Sequence, residues 1–211
     1  MRKLLLTTAA VAAAIAGAVA GETAFGTFTD TRDGQTYKTV NIGTQTWMAQ
    51  NLNYKTLDSS WCYHNNPSYC KRDGRLYSWN AAMKACPIGY HLPSDEEWDC
   101  LEQAVGGEKN PNGNGTIGWY GAAKKLKARS GWLMDFGTNN YGFSALPSGW
   151  RVYNGAFGFD DYGNWWTATE CDNDDSDCAS VREMNCESDD VYRKGMDKTC
   201  GFSVRCVADR P

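Results

Sequence analysis

Aromatic side chains are interleaved with Asp and Asn in the segment 150–164, and this combination suits sugar binding. Flat aromatic faces stack on pyranose rings, and carboxylates and amides hydrogen-bond to hydroxyl groups. Two further tryptophans lie in the irregular region before this segment. The candidate ligand-binding residues are therefore Trp119, Trp132, Trp150, Tyr153, Phe159, Asp160, Asp161, Tyr162 and Asn164. For any single ring among them, packing inside a loop core is the alternative role.

A second group of oxygen donors consists of Asp172, Asp174, Asp175 and Asp177. Carboxylates this closely spaced could gather around a hard cation such as Ca²⁺. An EF-hand loop needs a glycine for its sharp turn, and Asp177 takes that position here. We therefore interpret the segment as a solvated, acidic hairpin tip and predict neither a metal site nor a cofactor.

The sequence contains neither a Gly-x-Ser-x-Gly nor a His-Glu-x-x-His motif, and its two histidines are His64 and His91. Acidic residues are plentiful, so a carboxylate pair for glycoside hydrolysis stays open. Nothing in the sequence singles out two of them. The prediction is a protein that is not an enzyme.

Nine cysteines point to an oxidising compartment and a disulfide framework. Cys62 and Cys70 are predicted to bridge each other across a short polar loop, whereas a zinc site that included His64 would lack a fourth local ligand. The odd number leaves at least one thiol. We assign this free thiol to Cys100, which should be a small buried hydrophobe in a helix. An unpaired cysteine also allows a disulfide-linked dimer.

The first twenty residues predict a secretory signal peptide. Arg2 and Lys3 precede an apolar run over 4–20, and Ala18-Val19-Ala20 forms a small-residue cleavage site. Cleavage near Ala20 would give a secreted, periplasmic or cell-surface protein with no transmembrane span in the mature chain. An uncleaved anchor is the alternative, but the run is short for a span of ~20 residues. The net charge of −4, without a basic stripe, argues against a nucleic-acid partner.

Two helices are predicted in the first half of the chain. The first carries Leu76, Trp79 and Met83 as its buried row. The second covers 94–105 and begins with the capping-box spacing of Ser94 and Glu97.

Short strands and loops should make up most of the remaining chain. A β meander is predicted over 28–49, an irregular region over 53–75, and a short basic helix with solvated lysines over 121–129. After a short lead over 21–27, residues 28–211 are predicted to form a single α+β domain. Its two helices would pack on a small, twisted antiparallel sheet in a loop-rich, disulfide-stapled fold.

Seven motifs follow one another along the chain: FTDTRDG at 28–34, WMAQNLN at 47–53, GRLYSW at 74–79, CPIGYHLPSDEEW at 86–98, GFSALPSG at 142–149, WTATE at 166–170 and SVRCV at 203–207. Together they resemble the Fibrobacter succinogenes major paralogous domain. This resemblance implies a C-type lectin-like fold, which formylglycine-generating enzymes share. In that fold a cysteine of the first helix pairs with one of the last strand, which implies a Cys86–Cys206 bridge here. The segment 147–164 corresponds to the long loop and lacks the tripeptide of calcium-dependent sugar binding.

Four cysteines then remain, Cys171, Cys178, Cys186 and Cys200, and they allow three connectivities. If the strands after 165 form a meander, Cys171–Cys178 and Cys186–Cys200 would each flank a hairpin loop. We predict this pairing; Cys178–Cys200 with Cys171–Cys186 is the alternative.

Lectin-like folds usually place ligands on their loop face. The first functional hypothesis is an exported, non-enzymatic binding or adhesion domain, whose partner is a plant-wall or surface polysaccharide or a cell-surface protein. The second is a carbohydrate-active or formylglycine-generating-type enzyme. The third is a structural subunit of a cell-surface assembly.

Overall fold

A computed structural model describes residues 24–57, 59–111, 117–134, 137–171 and 176–210. The predicted signal peptide at 1–20 lies outside the described residues, as do 21–23 of the predicted lead. The described residues form one sheet of five strands, one sheet of eight strands and four α-helices. The architecture is therefore mixed α/β, with more helices and one more sheet than predicted.

The first sheet brings together strands from both ends of the described chain. Its order is β1 (Phe25–Thr29), β2 (Thr36–Ile42), β3 (Gln45–Met48), β13 (Val207–Ala208) and β6 (Tyr90–His91). The first three strands form the predicted N-terminal meander. Val207 of β13 pairs with Trp47 of β3 on one side and with His91 of β6 on the other. The last strand is thus an interior strand of this sheet.

The second sheet contains the strands on which the candidate residues depend. Its order is β4 (Ser60–Trp61), β5 (Leu76–Tyr77), β12 (Phe202–Ser203), β9 (Tyr162–Glu170), β10 (Cys178–Asn185), β11 (Val191–Asp197), β8 (Ile117–Tyr120) and β7 (Glu108–Lys109). The strands β9, β10 and β11 form an antiparallel meander. The pairing of β12 with β9, at Ser203 and Trp165, is parallel.

The helices are α1 (Pro67–Asp73), α2 (Trp79–Ala85), α3 (Asp95–Ala104) and α4 (Ala123–Leu126), and a 3₁₀ turn covers Tyr63–Asn65. The predicted capping box starts α3: the Glu97 N–H donates to the Ser94 hydroxyl at 3.3 Å, and the Ser94 N–H donates to the Glu97 carboxylate at 2.9 Å. Among the described residues, no helix is both long and apolar enough to cross a membrane.

Two helical predictions were wrong. The region 53–75 is not wholly irregular, because Asn66 caps α1 and Pro67 begins it. The helix predicted around Leu76 begins only at Trp79, because Ser78 caps it and Leu76 lies in β5. Its buried face is consequently rotated away from Met83, whose side chain is 44% exposed.

The basic helix is also shorter than predicted, and one of its lysines is internal. Only Ala123–Leu126 is helical, and Lys127 is fully buried. Its ammonium group donates to the carbonyl oxygens of Asn185 and Ser188 and lies 5.4 Å from the centre of the Trp132 ring. The carbonyl oxygens and the aromatic face replace the water that a surface lysine would keep.

Two apolar clusters cover opposite faces of β9. Trp165 faces a cluster that includes Trp47 and Trp98, and Trp166 faces one that includes Phe202. Successive side chains of a strand point to opposite faces, so adjacent tryptophans serve both clusters. This double burial fixes β9, and with it the end of the long loop that leads into it.

Three disulfides are present in the described residues: Cys62–Cys70, Cys86–Cys206 and Cys171–Cys178. All three pairs agree with the sequence analysis. The Cys86–Cys206 bond links the end of α2 to the residue before β13, across a separation of 120 residues. It therefore connects the middle of the chain to its last strand.

The predicted Cys186–Cys200 bond is absent, and both residues are buried free thiols. Cys186 immediately follows β10, whereas Cys200 comes after the seven-residue strand β11. An extended strand of that length covers roughly 23 Å, while bridged Cα atoms must lie within about 7 Å of each other. The alternative Cys178–Cys200 and Cys171–Cys186 pairs do not form either. Cys100 is free as predicted, but its side chain is exposed rather than buried.

Candidate ligand-binding surface

The long loop contains a small hairpin over 150–158. The Val152 N–H donates to the Ala156 carbonyl at 2.9 Å, and the Gly158 N–H donates to the Trp150 carbonyl at 2.9 Å. A side chain at position 158 would collide with the Trp150 ring, since an added Cβ would lie 2.0 Å from it. Glycine at this position therefore lets the indole lie against the hairpin backbone.

The Cys62–Cys70 loop packs against this hairpin. The Tyr63 hydroxyl donates to the Gly158 carbonyl, and its ring centre lies 5.4 Å from that of Phe157. Burial, with a further contribution from the Asp160 carboxylate, raises the pKa of Tyr63 to about 12, so its hydroxyl keeps the donated proton at neutral pH. The disulfide thus stabilises the short loop that packs against the long-loop hairpin.

Four predicted aromatic residues are at least partly accessible on this hairpin and just after it. Tyr153 and Phe159 are 70% and 71% exposed. Trp150 and Tyr162 are half-buried, and the Trp150 ring centre lies 6.1 Å from Phe159 and 5.5 Å from Tyr162. We call Trp150, Tyr153, Phe159 and Tyr162 the long-loop surface. Neighbouring exposed apolar rings of this kind often mark an interaction site.

Three of the predicted ligand-binding residues belong to the interior instead: Trp119, Trp132 and Asn164. The Trp119 indole N–H donates to Asp99 at 2.9 Å, and that of Trp132 donates to the Ala145 carbonyl at 3.1 Å. Asn164 lies within β9 opposite Glu183 of β10. Their burial leaves almost no side-chain surface for a ligand, so the accessible part of the predicted set lies on the long loop.

The two predicted carboxylates of the loop differ in their surroundings. Asp160 is exposed beside Phe159, whereas Asp161 is half-buried and has an oxygen 3.8 Å from the Cys186 sulfur. Burial raises the pKa of Cys186, and the Asp161 charge raises it further. Asp160 is therefore the better placed of the two to accept bonds from a ligand hydroxyl.

The alternative cation site in the acidic hairpin tip lies mostly outside the described residues, which omit Asp172, Asp174 and Asp175. Asp177 is described and its backbone carbonyl accepts from the Lys198 N–H at 2.8 Å. Within the described part of the chain, no three His, Cys, Asp or Glu side chains are grouped to hold a metal ion. The absence of a metal stays a prediction.

Neither histidine is isolated. His64 packs against Phe157, with ring centres 5.2 Å apart. His91 lies between two carboxylates, with Nε2 at 2.9 Å from Glu97 and Nδ1 at 2.6 Å from Asp209. Burial opposes protonation of His91, but both hydrogen-bonded carboxylates outweigh it and raise its pKa. The bridge fastens the residues after β13 to the start of α3.

A buried ion cluster that the sequence analysis missed joins α3 to the second sheet. Arg182 of β10 is 1% exposed and contacts Asp95 at 2.8 Å, Asp99 at 3.0 Å and Glu102 at 3.2 Å. The carboxylates fall at helical spacing on one face of α3, which is a signal that the sequence contained. Arg182 and Glu102 are inaccessible, so we assign this cluster to packing rather than to glycoside hydrolysis.

Glu102 should make the stability of the protein depend on pH. Complete burial, together with the neighbouring Asp99 and Asp95 charges, outweighs Arg182 and raises its pKa from 4.5 to about 8. Since the folded state holds this proton more tightly than the unfolded state, the stabilising contribution is complete below pH ~4.5 and is lost as pH rises towards 8. The loss from one group cannot exceed about 1.4 kcal/mol per pH unit.

We therefore expect Glu102→Gln to flatten the pH dependence between pH 5 and 8 and to be more stable than the parent at pH 8. The amide keeps an oxygen acceptor for Arg182 but cannot ionise. Denaturant unfolding at each pH unit measures the effect. Glu102→Leu is the control, because it leaves Arg182 without that acceptor and should be destabilised at every pH. Equal pH slopes in the parent and Glu102→Gln would contradict the assignment.

A second buried network centres on Asn51 and Arg205, which are 6% and 0% exposed. The Asn51 side-chain oxygen accepts from Arg205 Nε at 3.0 Å, from Arg205 Nη2 at 2.6 Å and from the Trp165 indole N–H at 2.9 Å. The Asn51 amide donates to the Asp73 carbonyl at 2.9 Å. The Asn51 side chain thus links the segment after β3 to the end of α1, to β9 and to the segment between β12 and β13.

Comparison with known proteins identifies a family for this chain. The Fibrobacter succinogenes major domain matches residues 40–208. The chain therefore belongs to the Fibrobacter succinogenes major domain family. Neither a curated protein nor a solved structure matches it.

Proposed function

We propose that this protein is an exported, non-enzymatic binding domain that recognises a glycan through the long-loop surface. The observation that carries the proposal is the exposure of Tyr153 on the hairpin and of Phe159 just after it. Hydrogen bonds and the Cys62–Cys70 loop hold the base of this hairpin. Rigid aromatic rings lose little conformational freedom when they stack on a sugar. The exposed Asp160 adds an acceptor for hydroxyl groups.

A C-type lectin-like fold and export are part of the same proposal. The bridge from α2 to the last strand is the pairing that the lectin-like resemblance implies. Three disulfides in the described residues are compatible with an oxidising compartment outside the cytosol.

A glycan-array screen of the purified protein, with and without EDTA, tests the proposal. We expect saturable binding that resists EDTA, since the long loop lacks the calcium-dependent tripeptide. Phe159→Ala should weaken binding roughly tenfold, as loss of one stacked ring costs about 1–2 kcal/mol. Ile88→Ala is the matched control, because Ile88 is an exposed apolar residue on a different surface, in the turn before β6. Absence of binding to every glycan would overturn the proposal in favour of a protein partner.

A structural role in a cell-surface assembly is the second candidate, and the exposed free thiol of Cys100 favours it. A disulfide between two Cys100 side chains would give a dimer that reductant dissociates. Non-reducing electrophoresis of the parent and Cys100→Ser distinguishes the two cases. A monomer in both would remove this support.

A further inference from the structure

A groove of about 430 Å³ lies beside the long-loop hairpin. Trp61 of β4, Asn80 and Lys84 of α2, Arg151 and Tyr153 of the hairpin, and Lys198 after β11 contribute to its walls. Its volume lies within the range of ~300–1,000 Å³ that small-molecule sites occupy. None of these six residues except Tyr153 belongs to the predicted ligand-binding set.

The groove is cationic in a protein whose net charge is −4. It contains Lys84, Arg151 and Lys198, and no carboxylate is among its described lining residues. Lys198 is neutralised by Glu170 at 2.9 Å and is only 13% exposed. In contrast, no ion pair among the described residues involves Lys84 or Arg151. Two cations that have no ion-pair partner among the described residues therefore line the groove.

Arg151 is held in place before any ligand arrives. Its guanidinium carbon lies 4.2 Å from the centre of the Trp61 ring, and its backbone exchanges hydrogen bonds of 2.9 and 2.7 Å with Gly201. A Cβ at position 201 would approach the Arg151 Cβ to 3.0 Å and the Trp61 ring to 3.2 Å, so glycine permits this close packing. A guanidinium stacked on an aromatic ring loses little further rotamer freedom when it binds an anion.

Resting on the proposed glycan-binding function, we propose that this groove selects a carboxylate-bearing sugar, a uronate unit of an acidic polysaccharide. The Arg151 guanidinium matches a carboxylate in a two-pronged hydrogen bond, and Lys84 supplies a second charge. The exposed Tyr153 ring can stack on the pyranose, and Asn80 can bond its hydroxyl groups. A polyanion such as a nucleic acid is disfavoured, because the protein carries a net negative charge and the cations are confined to one groove.

The test compares tetragalacturonate with its fully methyl-esterified form, by calorimetry on the purified protein at low ionic strength. The two probes share a backbone and differ in charge. We expect the ester to bind roughly tenfold more weakly or worse, because it loses the charge-assisted bonds. Arg151→Gln and Lys84→Gln should each weaken tetragalacturonate binding by about the same factor in a protein that stays fully folded at the assay temperature. Lys38→Gln, which removes an exposed lysine from β2 in the other sheet, should have no effect.

Each contrary result has a separate meaning. Equal affinity for acid and ester would overturn the proposal but leave glycan binding intact. Binding of neutral array glycans without binding of tetragalacturonate would likewise overturn the uronate proposal and leave the glycan-binding function intact. If Lys38→Gln lost as much affinity for tetragalacturonate as Arg151→Gln, binding would be general electrostatic attraction and the uronate proposal would be overturned. Tighter binding of a single-stranded oligonucleotide than of tetragalacturonate would overturn it for the same reason. Binding of no glycan at all would overturn both this proposal and the proposed function.

Discussion

Replacement of Asn51 by leucine should lower the free energy of unfolding by about 2–4 kcal/mol, because it removes two hydrogen bonds to the buried Arg205 guanidinium and leaves that charge without a side-chain acceptor. Arg205 is fully buried, and burial lowers its pKa to about 9, which still leaves it charged at neutral pH. Its remaining acceptors are backbone carbonyls, including those of Met48 and Phe143. Urea unfolding at pH 7 measures the loss. The substitution also removes the acceptor for the Trp165 indole N–H, so weakened packing around β9 should accompany it.

A double-mutant cycle separates the effect of the Arg205 charge on stability from the effect of packing around Asn51. Arg205→Met removes the guanidinium and keeps an unbranched apolar chain. In combination with Asn51→Leu, no buried charge is left stranded, so the double mutant should be more stable than the sum of the single losses predicts, by about 1–3 kcal/mol. Strict additivity would show that Arg205 does not depend on Asn51.

Loss of the Cys86–Cys206 bond, in a Cys86→Ser/Cys206→Ser variant, should cost ~5 kcal/mol by the chain-entropy relation for a closed loop of this length. The bond spans 120 residues, and both of its ends are packed in the protein. A loss of this size approaches the whole stability of many domains. The variant should therefore unfold near room temperature or fail to accumulate as folded protein during expression.

The Cys62–Cys70 bond is the matched control, because it spans only eight residues. Its removal should cost ~2–3 kcal/mol by the same relation and should weaken the support of the long-loop hairpin more than the global fold. Thermal unfolding of both double-serine variants, with ligand binding measured alongside, compares the two bonds. If the short loop proved the costlier, chain entropy would not explain how these bonds stabilise the protein.

Features that depend on nearby residues could be predicted from the sequence. The capping box of Ser94 and Glu97 needs only a spacing of three residues, and the Cys62–Cys70 and Cys171–Cys178 bonds close short loops. The N-terminal meander follows from alternation and turn glycines in the same way. The Cys86–Cys206 pairing is long-range, and it came from the family resemblance rather than from local pattern.

The accessibility of individual side chains could not be predicted in this way. Trp119 and Trp132 are of the same residue type as Trp150, but partners distant in sequence, Asp99 and Ala145, draw both of them inside. Lys127 is buried for a similar reason, since carbonyl groups nearly 60 residues later receive its charge. Composition alone does not distinguish an aromatic ring that stays exposed from one that packs in a core.

The sequence by itself determined the family, three of the disulfide pairs, the start of α3 and the segment that carries the long-loop surface. Only the tertiary structure decided which aromatic rings remain exposed, why Cys186 and Cys200 cannot meet, and how Trp61, Lys84 and Arg151 come to line one groove. The first group depends on local spacing or on motifs preserved in order along the chain. The second depends on strand lengths and on contacts between residues far apart in sequence, which form only when both sheets are assembled.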